Sequence, residues 1–267
     1  MVARFLLGAL ILVGAFGTPR PGDEPADARR AEVAIPGTAL SIELVEVPLD
    51  GAHRLLFGRT EIPWEVLDVF VHGLDEKPTT PNEAVDAVTR PSKPYISMDR
   101  GFGHHGYPAI SVSHRNAVEF CRWLSAKTGR QFRLPTRAEW TKACERSAVE
   151  PGDRTAHAWC AENARRKTHP VGTLKPDASG LCDMLGNAGE WVSDGDDTFV
   201  VIGGSFRDAA EQLGCEAAKA NDPAWNASDP QIPRSVWWLA DGGFIGFRVV
   251  CEPAPEGNGA NKTKEKP

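Results

Sequence analysis

Among the 267 residues, four groups have types and spacings that could do chemistry: six cysteines, the pair His104-His105, the segment Gly186 to Glu190, and Ser205 behind Gly203-Gly204. The cysteines are too sparse for a disulfide-dense scaffold but even in number, so they can pair fully where the compartment is oxidising. As thiolates they would be soft ligands suited to copper(I). Asn187 and Glu190 place an amide and a carboxylate on a short glycine-containing turn. His104 and His105 are flanked by glycines, yet adjacent residues of an extended segment face opposite ways, so they read as a surface loop. Ser205 has no histidine and aspartate spaced to activate it, which gives a hydrolytic triad little support.

Elements must hold these groups in place. Arg4, the apolar run over residues 5–16 and the small residues before Thr18 read as a signal peptide over 1–17. The run is too short to span a bilayer, so the expectation is an exported protein, secreted or extracytoplasmic, with no transmembrane span after cleavage. Residues 18–33 and 253–267 are polar, proline-bearing and without apolar periodicity, which predicts a disordered linker and a disordered tail around a domain at 34–252. With 41% hydrophobic and 25% charged residues, that domain has the composition of a globular core. A formal net charge of −6 argues against a general nucleic-acid partner, which would need a basic surplus.

Alternation predicts strands over 40–47 and 54–59, and helical spacing predicts a helix over 61–74. A second helix runs from a capping Ser113 to Gly129, with Ala117, Phe120, Cys121 and Leu124 on one face. Thr136 and Glu139 form the signature of a capping box and start a third, to about Arg146. Short strands follow at 131–134, 199–203 and 247–251. Between them lies a long irregular region of Gly, Asn, Asp and Pro interleaved with single tryptophans, so the expected class is α+β, one loop-rich domain.

The quoted residues carry a family resemblance. Tyr107-Pro-Ala-Ile-Ser-Val-Ser, Arg133-Leu-Pro-Thr-Arg-Ala-Glu-Trp140, Gly180-Leu-Cys-Asp-Met-Leu-Gly-Asn-Ala-Gly-Glu-Trp191, Gly203-Gly-Ser-Phe206 and Gly246-Phe-Arg-Val249 follow one another in order. With Phe57-Gly-Arg-Thr-Glu-Ile62 ahead of them, they resemble the formylglycine-generating enzyme, or sulfatase-modifying factor, family over about residues 40–251. The resemblance implies a fold distantly like that of C-type lectins. Known members oxidise a sulfatase cysteine to formylglycine, using a copper-binding cysteine pair just after the GGS motif. Here those positions are Asp208 and Leu213. Cys215, two residues further on, could supply one thiol but not two.

The resemblance also implies a disulfide between Cys121 and Cys251 and another between Cys144 and Cys215, leaving Cys160 and Cys182 to pair in the loop region. It implies a structural Ca²⁺ held by Asn187 and Glu190 with backbone carbonyls of Leu185 and Ala188, and a ligand groove near Trp191, Ser205 and Arg248. Neither copper nor iron is expected, since the thiol pair is missing and no further histidine-bearing domain is attached. The expected role is therefore a binding module for a peptide, a glycan or an extracytoplasmic protein. The competing expectation is an oxidoreductase of the formylglycine-generating or nonheme-metal type that uses Cys215.

Overall fold

Strand β2 (Ser41–Pro48) buries Ile42, Leu44, Val45 and Val47 and pairs antiparallel with β3 (Arg54–Gly58). It belongs to a computed structural model that describes residues 29–75, 83–146 and 149–253. The other edge of β2 is covered by β1 (Arg30–Ala34), with Val33 opposite Ile42. This corrects the linker expected over 18–33, because residues 30–33 are strand. Only Val33 of β1 is buried while Arg30 and Glu32 face solvent, so the strand is formed by the ladder that β2 offers rather than by its own hydrophobicity. The expected signal peptide and the tail beyond residue 253 lie outside the described residues.

The helices follow their local signals. Helix α1 (Trp64–His72) buries Trp64, Val66, Leu67, Val69, Phe70 and Val71 and ends on Gly73 at φ 62°. After a single turn α2 (Glu83–Asp86), helix α3 (His114–Thr128) begins where the Ser113 side chain accepts from the Asn116 amide. It ends at Gly129, whose φ of 71° a side chain would strain. Helix α4 (Arg137–Arg146) carries the reciprocal box: the Glu139 amide donates to Thr136 Oγ1 at 3.2 Å and the Thr136 amide donates to Glu139 Oε2 at 2.8 Å. Two short strands complete the first sheet, β4 (Phe132–Arg133) and, near the end of the chain, Val250–Cys251, which inserts between β3 and β4.

Past a one-turn helix α5 (Arg154–His157), a second sheet forms from β5 (Gly189–Ser193), β6 (Phe199–Ile202), β7 (Lys219–Ala220) and β8 (Ile245–Gly246), in the order β7-β6-β5-β8. The strand at Val250–Cys251 is thus β9. Apart from short 3-10 turns at Pro151–Asp153, Ala210–Gln212 and Pro223–Asn226, the rest of the described residues after 146 is turn and loop, as expected of an α+β loop-rich domain. Buried aromatics hold it: Trp123, Trp191, Trp238, Phe120 and Phe247 in one cluster, Trp140 and Phe57 in another with Ile202 and Leu213. No helix among the described residues is long and apolar enough to cross a membrane.

Of the expected disulfides, Cys144–Cys215 is present, tying α4 to the loop before β7 across 71 residues. The pairs Cys121–Cys251 and Cys160–Cys182 are corrected, since all four are buried free thiols. Cys121 and Cys251 take part in apolar packing within the larger cluster. Cys160 lies in the smaller one with its sulfur 3.5 Å from Asn163 Oδ1, while the Cys182 carbonyl accepts from Arg248. Closing a loop of this length removes enough unfolded-chain entropy to stabilise by about 4 kcal/mol. Protein denatured without reductant is therefore expected to react with a thiol reagent at four cysteines and, after reduction, at all six. Replacing Cys144 and Cys215 together by serine should lower the melting temperature by about 8–16 °C.

Candidate functional site

The loops are built around a buried ion pair. Arg248, between β8 and β9, is 0% exposed and Glu190, on β5, 1%. The arginine Nε reaches both carboxylate oxygens at 2.8 and 2.7 Å, and Nη2 donates to Oε1 at 2.6 Å. Trp140 Nε1 donates to Oε2 at 2.7 Å, so the carboxylate's acceptor directions are filled. The remaining guanidinium donors reach the carbonyls of Gly58, Cys182 and Asp183 at 2.9 to 3.0 Å. One side chain thereby joins β3, the 182–183 loop and the second sheet. Burial opposes its charge, but Glu190 outweighs this and raises the Arg248 pKa.

Two more carboxyls share this interior. Glu61 accepts from the Ala188 amide at 3.1 Å and from Asn187 Nδ2 at 3.4 Å. Asp183 accepts from the Gly172 amide at 2.6 Å through Oδ2, while its Oδ1 is buried without a hydrogen-bond partner. Burial and then repulsion from Asp183 and Glu190 push the Glu61 carboxyl well above the usual range. Burial, opposed by the Gly172 bond and Arg248, brings Asp183 to about 6. Neither residue was singled out as a site residue from the sequence. Their only signal was membership of the Thr60-Glu61-Ile62 and Cys182-Asp183-Met184 segments.

The expected calcium ligands meet here in a different role. Asn187, in a left-handed turn at φ 47°, accepts from the His169 amide through Oδ1 and donates to Glu61 and to the His169 carbonyl. Asn187 and Glu190 thus have their side chains spent on protein partners, and Arg248 would bring a positive charge into the ion's shell. This donor set does not fit calcium held by Leu185, Asn187, Ala188 and Glu190. The groove expectation is corrected likewise: Arg248 is enclosed on all sides, Trp191 is 1% exposed with Nε1 bonded to the Val112 carbonyl, and Ser205 is 1% exposed. Beyond Ser205 the chain comes to the surface, with Arg207 exposed and Asp208 half-buried.

That surface is set by Gly203 and Gly204, at φ 88° and 74°. A Cβ on Gly203 would fall 2.7 Å from the Met184 carbonyl oxygen, and one on Gly204 would fall 2.4 Å from Leu213 Cδ2. The chain then turns through Ser205. Its amide and hydroxyl both donate to Asp208 Oδ2, at 2.9 and 3.0 Å, while Lys219 Nζ on β7 pairs with Oδ1 at 2.7 Å. Asp208 and Leu213 both pack against Gly204, so the two positions that the resemblance assigns to thiols are indeed neighbours. They hold a carboxylate in an ion pair and a leucine that is 2% exposed. Cys215 is in the disulfide. Burial raises the pKa of every free thiol, Cys160 to about 11 and Cys182 to about 12, so none is held as thiolate. His104 and His105 stand apart: His104 stacks on Trp64 and bridges Asp68 and Asp99 at 2.7 and 3.0 Å.

A loop-rich α+β domain whose glycine cradle, GEW strand and GFR arginine lock together in this way defines a sulfatase-modifying-factor-type domain. The chain belongs to the family described as sulfatase-modifying factor enzyme 1-like domain, whose family model matches residues 58–252. It is 32% identical over 107 residues to the formylglycine-generating enzyme of Bos taurus, a match spanning 33% of this chain and 27% of that enzyme. To the formylglycine-generating enzyme of Streptomyces coelicolor it is 30% identical over 111 residues, 34% of this chain and 33% of the relative. The matched segments thus span about a third or less of these curated relatives. In fold it is similar to Treponema denticola variable protein 1, with TM-score 0.59 and 18% identity, covering 84% of this chain and 99% of that one. It is also similar to PvdO from Pseudomonas aeruginosa, with TM-score 0.54 and 21% identity over 85% and 92% of the two chains.

Removing Arg248 would leave Glu190 charged, buried and unpaired, at a cost of about 3–5 kcal/mol. Arg248→Met is expected to unfold at correspondingly lower denaturant, measured by tryptophan fluorescence. Asp183 has a folded pKa above its ordinary value, so its contribution to stability is present below the unfolded value and lost as pH rises through about 6. Asp183→Asn tolerates the left-handed backbone at φ 54° and keeps an acceptor for Gly172. Its stability relative to the parent protein should therefore improve between pH 4 and pH 7, read from melting temperatures across that range.

Proposed function

We propose that this protein is an exported, non-oxidase member of the family that binds a peptide, glycan or protein partner at the surface beside Ser205. The observation that carries the reading is the pair of side chains against Gly204: Asp208, held by Ser205 and Lys219, and buried Leu213. Copper(I) needs soft thiolates, and this position offers a hard carboxylate already neutralised by an ammonium. The Cys144–Cys215 bond supports the reading twice over. It consumes the one cysteine that the competing oxidoreductase mechanism would use, and it belongs to the oxidising conditions of an exported protein. The surface here offers Arg207 and Asp208, backed by the buried rings of Phe206 and Phe244, with half-buried Trp225 against Phe244.

Titration with copper(I) against a competing chelator tests this directly. The parent protein is expected to take up no tightly held copper and to consume no oxygen when given a cysteine-containing peptide. The variant carrying Asp208→Cys and Leu213→Cys should gain one copper(I) site, because both positions face the same glycine. Copper-dependent oxygen uptake by the parent protein, with conversion of the peptide cysteine to an aldehyde, would overturn the proposal.

A further inference from the structure

Arg207 is the exposed residue between the Ser205 hydroxyl and Asp208. Its guanidinium carbon lies 4.5 Å from the centre of the Phe244 ring and 5.4 Å from that of Phe206. Lys219 Nζ sits 5.7 Å from the centre of the same Phe244 ring, so two cations lie near one aromatic ring. They differ in one respect: Lys219 is neutralised by Asp208, whereas no carboxylate lies within ion-pair distance of Arg207 among the described residues. Partial burial and the charge of Arg100, with a smaller part from Arg166, hold the Arg207 pKa below that of a free arginine, although the Asp208 carboxylate acts against them. Arg100 spends its own donors on Ser111 Oγ and the Leu239 and Ala240 carbonyls. Arg166 and its neighbour Arg165 are exposed on consecutive left-handed residues, at φ 63° and 53°. A chain of net charge −6 has thus placed Arg100 and Arg166 near a guanidinium that makes no ion pair among the described residues.

An exposed guanidinium lying against two rings is a flat fork suited to a carboxylate taken in bidentate fashion. Beside it runs β7, the last strand of its sheet, with Lys219 and Ala220 exposed and no strand on its outer side among the described residues. Such an edge pairs with extended backbone. We propose that this face binds an acidic protein segment in extended conformation, with Arg207 receiving a glutamate or aspartate side chain and the β7 edge receiving the backbone. The proposal rests on the binding reading above and adds the class of ligand.

The test is fluorescence anisotropy on the full chain with two labelled nonapeptides, one alternating Glu with Val and the other alternating Gln with Val. The Glu peptide is expected to bind about tenfold or more tightly than the Gln peptide at low ionic strength, and to weaken steeply with salt. Arg207→Gln should abolish the difference and Arg207→Lys should keep part of it, with melting temperatures unchanged because the side chain is exposed. Equal binding of the two peptides, no binding of the Glu peptide, or an Arg207→Gln variant that still discriminates would each overturn the proposal. A sulfated oligosaccharide that binds through Arg207 where the Glu peptide does not would also overturn it. Binding of the Gln peptide without charge preference sinks this inference and leaves the binding reading intact, whereas copper-dependent oxygen uptake sinks that reading whatever the peptides do.

Discussion

The Glu190–Arg248 pair is the constraint on which the loop-rich half depends. Ladders hold little of that half, so its backbone polar groups need other partners. Arg248 satisfies the carbonyls of Gly58, Cys182 and Asp183 at once, and Glu190 satisfies both Arg248 and the Trp140 indole. Burying two charges is expensive unless geometry and further hydrogen bonds are excellent. Here every donor of the arginine fork has an acceptor, and the pair acts as a junction between the two sheets rather than as a surface decoration.

The cost of that interior shows in Glu61 and Asp183. One arginine faces three carboxyls, and burial with mutual repulsion keeps Glu61 and Asp183 reluctant to ionise. Beside them, Asn187 and Glu190 were expected to recruit calcium with the carbonyls of Leu185 and Ala188, as the family resemblance implies. What changes the reading is occupancy of the lone pairs: the oxygens of Glu190 already face nitrogen. On the open side, the glycine cradle survives, with Gly203 and Gly204 in backbone conformations that other residues resist, while the side chains it presents are no longer thiols. The frame of the family is present, and the groups on it are a carboxylate paired with an ammonium and a buried leucine.

Legibility followed the range of the signal. Helices α3 and α4 were readable because a cap, a box and an apolar stripe all lie within a few residues, and β2 and β3 because alternation is local. Strand β5 was not, since Gly189-Glu-Trp-Val-Ser is buried along most of its length with a carboxylate inside, which matches no alternating pattern. Strand β1 escaped because one buried valine is too little to announce an edge strand, and β7 and β8 because two residues carry no period. The site was legible as a set of motif residues, while their roles were not. Glu61 and Asp183 looked like ordinary motif positions, and Trp191, Ser205 and Arg248, expected in a groove, are buried.

The sequence by itself determined the family, the capped helices and the replacement of the thiol pair by Asp208 and Leu213, because each is written in residue identities or in spacings of a few positions. Only the tertiary structure decided that Glu190 faces Arg248, 58 residues away, and that Cys144 meets Cys215 while four other cysteines stay apart. Only it set Arg207 and Lys219 on one phenylalanine. Partners of buried charges and thiols are chosen by where the chain packs, and packing across tens of residues leaves no periodic trace in the sequence.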